Sequence, residues 1–226
     1  MGTLYIVATP IGNLADITFR ALKTLKEADV IACEDTRQTL KLLNHYEIQK
    51  PLVSCRSHNE SIAADRIIEL LQEDKSVAYV SDAGTPGLSD PGGALVHAVR
   101  EAGFEAVPIP GVSAFAALMS VGSFPGRSVL FDGFLSPKAG KRKKRLEELL
   151  ERGGNFVLYE SPHRIIKLLT DIADVDPERL VLIGREMTKF HEEYLQGSAQ
   201  ELLNDFSGRE SIKGEFSVLV SGKKKR

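Results

Sequence analysis

Two carboxylates, Asp82 and Asp90, lie in a stretch that also holds Gly84, Gly87, Gly92, Pro86 and Pro91: Tyr79-Val-Ser-Asp-Ala-Gly-Thr-Pro-Gly-Leu-Ser-Asp-Pro-Gly-Gly93. Glycine lets backbone approach a ligand closely, and proline fixes the path of the chain. The stretch has no Lys or Arg. It lacks the G-x-x-x-x-G-K spacing of a phosphate cradle, and G-x-G-x-x-G is absent too. Acids without bases, on backbone that can come close, suit a ligand that carries positive charge and offers something for N–H groups to hold. S-adenosylmethionine, with its ammonium, sulfonium, carboxylate and adenosine, answers that description. The plainer alternative is a surface loop closing a strand–helix unit. Length and the doubled acid favour the binding loop, because long ordered loops in α/β units are usually functional.

The elements around this loop predict what positions it. Val77–Val80 is a short apolar strand before it, and Ala94–Ala102 an apolar-periodic helix after it, stopped by Gly103. Leu4–Thr9, Val30–Cys33, Glu105–Ile109 and, more weakly, Leu52–Ser54 read as strands. Between them fall helices from about Ile17 to Ala28, capped by Asp16, over Thr36–Asn44, and one opened by Asn59 or Ser61. A further helix begins at Ala114–Met119. This alternation predicts a mostly parallel sheet with helices on both faces, joined by right-handed crossovers. Ligands in such sheets bind outside the carboxyl ends of the strands. The three oddest loops, at Pro10–Asn13, Asp82–Gly92 and Pro110–Ala114, all fall at that end.

Ser120-Val-Gly-Ser-Phe-Pro-Gly126 is rich in turn formers and marks the expected boundary between two α/β domains, 1–120 and 121–226. In the second, Ser128–Phe134, Phe156–Tyr159, Leu180–Gly184 and Phe216–Val220 read as strands, with Phe190–Gln196 extended. Helices are expected from near Lys138 through Leu150, from Glu160–Arg164 to about Ala173, and over Ala199–Phe206. Strands with fewer and shorter helices predict a mixed sheet. Lys138-Ala-Gly-Lys-Arg-Lys-Lys-Arg145 packs six cations with no acid, against a formal net charge of −2 for the chain. Such a run is either a solvated helix start or a local patch for nucleic-acid phosphates. The tail Lys223–Arg226 is a weaker candidate.

Composition narrows the class. The 226 residues are 42% hydrophobic and 27% charged, which suits a soluble globular chain with a sizeable core. Only Cys33 and Cys55 occur, so a reduced, cytoplasmic setting is expected rather than a disulfide scaffold. Met1–Val7 has no signal-peptide pattern, and no apolar run nears a membrane span. The histidines, His45, His58, His97, His163 and His191, show no ligand spacing, so no metal site is expected. G-x-S-x-G is absent; at Ser113, Phe115 stands where the second glycine is needed.

Taken together, several motifs resemble the tetrapyrrole methylase superfamily, the class III S-adenosylmethionine-dependent methyltransferases, over nearly the whole chain. They are Ala8-Thr-Pro-Ile-Gly-Asn-Leu14, Glu34-Asp-Thr-Arg37, Val80–Gly92, Pro110-Gly-Val-Ser-Ala114, Phe131-Asp-Gly-Phe134, Tyr159-Glu-Ser-Pro-His-Arg164 and Arg185-Glu-Met-Thr-Lys-Phe-His-Glu192. The likeness is strongest to the branch that 2′-O-methylates a cytidine in the decoding region of small-subunit ribosomal RNA. It implies two α/β domains with S-adenosylmethionine in the trough between them, a homodimer, and ribosomal RNA or the small (30S) subunit as partner. By position, Asp82 and Thr85 contact the methionine part, Ser113 and Ala114 sit close to it, Pro10 forms a wall, and Tyr159 encloses the adenosine. Ala83, Gly84, Ser89 and Asp90 complete the expected cofactor loop. Arg37, Lys141, Arg142, Lys144, His163 and Arg164 are expected to meet the RNA.

Two features depart from the superfamily. Many members have G-x-G-P-G after the first strand, where this chain has Thr9-Pro-Ile-Gly-Asn13; that argues against a porphyrin or corrin substrate. The ribosomal branch often carries a further small C-terminal domain, so a chain ending at Arg226 is expected to have reduced RNA affinity. A ribose hydroxyl is a poor nucleophile and needs a base, or a field that stabilises the forming alkoxide. Lys189 and Glu186, which follow a strand that ought to be buried, are the expected catalytic residues, with Asp35 in reserve. The rivals are a methyltransferase for tetrapyrrole precursors and an RNA-binding assembly factor that holds the cofactor without turnover.

Overall fold

The computed structural model describes residues 2–56, 60–126 and 128–222. His58, the expected helix cap Asn59 and the basic tail 223–226 lie outside the described residues. The chain divides into two compact units, Met1–Ser113 and Ala114–Arg226. The division falls ahead of the turn-rich stretch Ser120–Gly126, so the helix beginning at Ala114 goes with the second unit.

In the first unit the elements run β1 (Thr3–Val7), α1 (Phe19–Glu27), β2 (Val30–Cys33), α2 (Thr36–His45), β3 (Leu52–Ser54), α3 (Glu60–Gln72), β4 (Val77–Val80), α4 (Gly93–Glu101) and β5 (Glu105–Ile109). The sheet order is β3-β2-β4-β1-β5, and every pair is parallel. β2 and β4 are buried along their whole length, as central parallel strands between two helical layers must be. Successive residues alternate between the layers. Ala32, Val77 and Tyr79 pack with Ile67 of α3 and Leu95 of α4. Ile31, Ala78 and Val80 pack with Leu25 of α1 and Leu43 of α2. Cys33 and Cys55 are free and buried in these opposite layers. Thr18, not Asp16, caps α1: its side chain accepts the Ala21 N–H, while Asn13 caps a short 3-10 turn over Leu14–Asp16.

The second unit runs α5 (Ala114–Val121), β6 (Val129–Phe134), α6 (Ala139–Arg152), β7 (Asn155–Glu160), α7 (Ile165–Val175), β8 (Leu180–Arg185), β9 (Glu193–Ser198), α8 (Ala199–Ser207) and β10 (Phe216–Val220). The order is β6-β7-β10-β8-β9; β6 and β7 are parallel and the other pairs antiparallel, so the sheet is mixed. Strand β9 starts at Glu193 rather than at Phe190. The preceding residues form a turn in which Thr188 N–H donates to Glu192 Oε1 and Glu192 N–H to the Lys189 carbonyl.

Leu146, Leu149 and Leu150 of α6 pack with Leu168, Leu169 and Ile172 of α7. Arg142 stands on the same stripe of α6 and is only 3% exposed. Its guanidinium reaches Asp171 of α7 through Nε (3.0 Å) and Nη2 (2.8 Å). Removing one partner of a buried ion pair strands the other charge. Arg142→Ala is therefore expected to lose about 3 kcal/mol of stability in urea unfolding. The double replacement Arg142→Met with Asp171→Leu, which leaves no orphaned charge, is expected to recover most of it.

Candidate functional site

The carboxyl edge of the first sheet gathers the loops singled out by sequence. From β1 the chain leaves toward the layer of Leu25, and from β4 toward the layer of Leu95. The two strands are neighbours, so a crevice opens where their helices part, the topological switch point of a doubly wound sheet. Thr9 N–H donates to the Gly84 carbonyl (2.8 Å) and Gly84 N–H returns to Thr9 (3.0 Å), tying the β1 and β4 loops together. Thr85 Oγ1 donates to the Val112 carbonyl (3.0 Å), bringing in the β5 loop. Asp35 N–H donates to Asp82 Oδ1 (3.0 Å), bringing in the β2 loop.

Backbone conformation explains the glycines. Gly84 bridges to Thr9 at φ +75°, and Gly92 turns into α4 at φ +125°, where a Cβ would stand 2.8 Å from the Tyr79 ring. Ser89 adopts φ +65° with a side chain attached, a strained conformation of the kind found at binding loops. Glu60 of α3 caps α4 from outside, its Oε1 accepting the Gly92 and Leu95 N–H groups at 3.0 Å each.

Acids dominate the electrostatics. Burial pushes Asp90 up to about 6 against the Ser81 hydrogen bond that lowers it, and the nearby Asp82 charge adds to the rise. Burial also raises Glu34, with Asp82 and Asp90 repelling its charge. A ligand cation would relieve this repulsion. Asp35 is different. Hydrogen bonds from Arg37 hold it well below the usual carboxylate range, with Arg37 Nη2 2.6 Å from Asp35 Oδ2. Asp35 also caps α2 by accepting the Arg37 N–H, so it is spent structurally and is no reserve base.

Thr9 Oγ1 and Ser113 Oγ are buried with no hydrogen-bond partner among the described residues. Orphaned hydroxyls beside a tethered acidic loop fit a ligand with polar groups of its own, as S-adenosylmethionine has. Asp82, Ala83 and Ser89 are exposed, Thr85, Asp90 and Ser113 half-buried, and Pro10 and Gly84 buried. Sequence reasoning left Thr9, Glu34 and Glu60 out of the site. Thr9 was legible as a hydroxyl at the end of the first strand; the roles of the two glutamates depend on tertiary contacts.

A pH dependence follows. A carboxyl raised above its unfolded value contributes stability below about 3.8 that is lost as pH rises through about 6. A bound cation favours the ionised form, so binding expels a proton on the acid side. S-adenosylmethionine affinity is expected to rise with pH through about 6 and then level off. Calorimetry across that range should show the inflection, and Asp90→Asn should remove it.

In the second unit, Ala114 opens α5, and Tyr159 Oη accepts the Phe115 N–H at 2.9 Å. Lys189 Nζ lies 2.9 Å from Glu186 Oε1 and 3.0 Å from Glu215 Oε2. Burial works against its charge, but the hydrogen bonds to these two carboxylates outweigh it and raise Lys189 above the ordinary lysine value. Burial works to raise Glu186; the Lys189 ammonium and the Glu215 N–H overcome that and hold it low. Gly214 permits this arrangement, because a Cβ there would run into the Glu186 side chain. Glu186 (φ +49°) and Thr188 (φ +66°) both hold left-handed backbone. Lys189 is thus a fixed ammonium, suited to stabilising negative charge and unsuited to taking a proton.

The expected RNA contacts need correction. Arg142 is buried against Asp171 and does not face solvent. Arg164 is turned inward, Nη2 donating to the Leu135 carbonyl (2.8 Å) and to Glu160 Oε2 (3.0 Å). Arg145 is paired with Asp132 and Glu148. Lys141 and Lys144 are exposed, as are Lys138 and Lys143, so the cationic face of α6 is made of lysines. His163 is exposed in the turn before α7, and Arg37 is exposed beside Asp35.

Fold and loop together define a class of methyl-donor-binding protein, and comparison with known proteins places the chain within it. The family model for Tetrapyrrole (Corrin/Porphyrin) Methylases matches residues 3–203, and the chain belongs to that family. Methyltransferases of this family use S-adenosylmethionine. Two similar proteins are each called Ribosomal RNA small subunit methyltransferase I. The one from Borrelia garinii subsp. bavariensis is 52% identical over 96% of this chain and 98% of its own. The one from Thermotoga maritima is 46% identical over 99% of this chain and 100% of its own. Among solved structures, the methyltransferase CobJ superposes with a TM-score of 0.74 at 19% identity, covering 100% of this chain and 96% of its own. Uroporphyrin III C-methyl transferase from Thermus thermophilus superposes at 0.70 and 16%, covering 97% of each chain. At such identities the structural likeness is one of fold.

Proposed function

We propose that this protein methylates the 2′-hydroxyl of a cytidine in the decoding region of small-subunit ribosomal RNA. The observation that carries the reading is the 52% and 46% identity, over nearly whole chains, to proteins named as small-subunit ribosomal RNA methyltransferases. The exposed lysines of α6 support it, offering a local cationic face on a chain of net charge −2.

Bound S-adenosylmethionine supplies an electrophilic methyl group on a positively charged sulfur. Asp82, Thr85 and Asp90 would hold its methionine part, with the Thr9 and Ser113 hydroxyls taking up its polar groups. Alignment of the ribose hydroxyl supplies much of the rate. Lys189, kept protonated by Glu186 and Glu215, lowers the energy of the forming alkoxide, and the hydroxyl proton leaves to water. The working form is proposed to be a cytoplasmic homodimer acting on the RNA or the 30S subunit.

Mass spectrometry of ribosomal RNA from cells with and without the protein tests this. The reading expects one cytidine of the small subunit to lose a ribose methyl group when the protein is absent. Identical RNA in both cells, with methyl transfer to porphyrinoids in vitro, would replace it with the tetrapyrrole reading. RNA binding without transfer of tritiated methyl would leave an assembly factor.

A further inference from the structure

Strand β6 carries a bulge that changes which way its last residue points. In a regular strand Phe131 and Phe134 would face opposite sides of the sheet. The pairing of β6 with β7 shifts between Phe131 and Gly133, and Gly133 takes φ +65°. The extra residue brings both rings against Tyr159 of β7. The centroid of Phe131 is 4.9 Å from that of Tyr159, and that of Phe134 is 5.7 Å away, both edge-on. Phe115 packs on Phe131 at 5.2 Å and fixes the Tyr159 hydroxyl through its N–H. Phe134 is therefore held from behind by an ordered aromatic group, yet is 57% exposed. Bulges commonly re-aim a side chain beside a functional site.

The adjoining helix supplies charge. Arg145 Nε meets Asp132 Oδ2 at 3.0 Å, which sets one flank of α6 against β6, the edge strand of the sheet. Lys141 lies on that flank, one turn nearer the helix start, and Lys138 is the residue that caps that start. Because α6 follows β6 directly, that start is the end next to Phe134. Arg145 is neutralised by Asp132 and Glu148, whereas Lys138 and Lys141 are exposed.

We infer that Phe134 is a stacking platform for an unpaired base of the substrate RNA, with Lys138 and Lys141 on the flanking phosphates. The inference rests on the ribosomal-RNA reading above and names a residue of the same substrate path. An aromatic face beside spaced cations is the arrangement single-stranded nucleic acid uses, each base stacking while the backbone follows the charge. A purely structural ring would gain nothing from exposure, and a purely electrostatic surface would not need the bulge.

The chain has no tryptophan, so Phe134→Trp introduces a sole indole, which can be excited at wavelengths where the five tyrosines do not absorb. Its emission is expected to be quenched by a single-stranded RNA oligonucleotide, and unaffected by inorganic polyphosphate. Phe134→Leu is expected to raise KM for 30S subunits about tenfold or more while kcat stays within about twofold. Several results would overturn the inference: no quenching by RNA, equal quenching by polyphosphate, or a signal that follows protein concentration alone. If the tryptophan variant misfolds, an unchanged KM in Phe134→Leu overturns it by itself. Absence of methyl transfer by the unaltered protein is failure of the ribosomal reading. Normal transfer with indifferent Phe134 variants is failure of this inference only.

Discussion

Asp82→Asn should weaken S-adenosylmethionine binding roughly 100-fold, the scale of losing one charge from a pair that the bound ligand closes off from water. The asparagine keeps an oxygen where Asp82 Oδ1 accepts the Asp35 N–H, so the tie between the β2 and β4 loops survives. What it removes is the negative charge offered to the ligand's cationic groups. Asp82→Ala removes both, and should bind more weakly still and melt at a lower temperature. Calorimetry on the two variants separates charge from scaffolding. If asparagine binds as well as aspartate, the carboxylate serves the loop and not the ligand.

Lys189→Met should leave cofactor affinity within about twofold while turnover falls by roughly 100-fold or more, the usual effect of deleting a donor that stabilises an oxyanion. The ammonium is gripped by Glu186 and Glu215 at 2.9 and 3.0 Å, so its position is set before substrate arrives. Deleting it leaves two carboxylates facing each other, and some local destabilisation should accompany the loss of rate. Lys189→Arg keeps the charge and should keep the fold, recovering part of the rate according to how well the larger head fits. Normal turnover in Lys189→Met would remove this residue from the mechanism.

Much of this architecture was legible in the chain itself. Glu105–Ile109 and Phe216–Val220 are strands over the bounds their apolar, β-branched runs predict. The alternation of strands and helices up to Ile109 fixed the parallel sheet and hence the edge where the Pro10, Asp82 and Pro110 loops meet. The cation run was harder. Arg142 falls on the helical period of Leu146, Leu149 and Leu150, which the sequence displays, but its partner Asp171 stands in another helix. Arg164 likewise looks free until Glu160 and the Leu135 carbonyl are seen beside it. The bulge after Phe131, the capping of α4 by Glu60 and the buried Thr9 and Ser113 hydroxyls all arise from contacts that no local pattern encodes.

A crystal grown with S-adenosylhomocysteine tests the central claim most directly. The ligand should lie against the loop from Asp82 to Asp90, with the Thr9 and Ser113 hydroxyls finding their partners on it. Clear density for the ligand elsewhere on the protein, with that loop unoccupied and both hydroxyls still unpaired, would contradict the account.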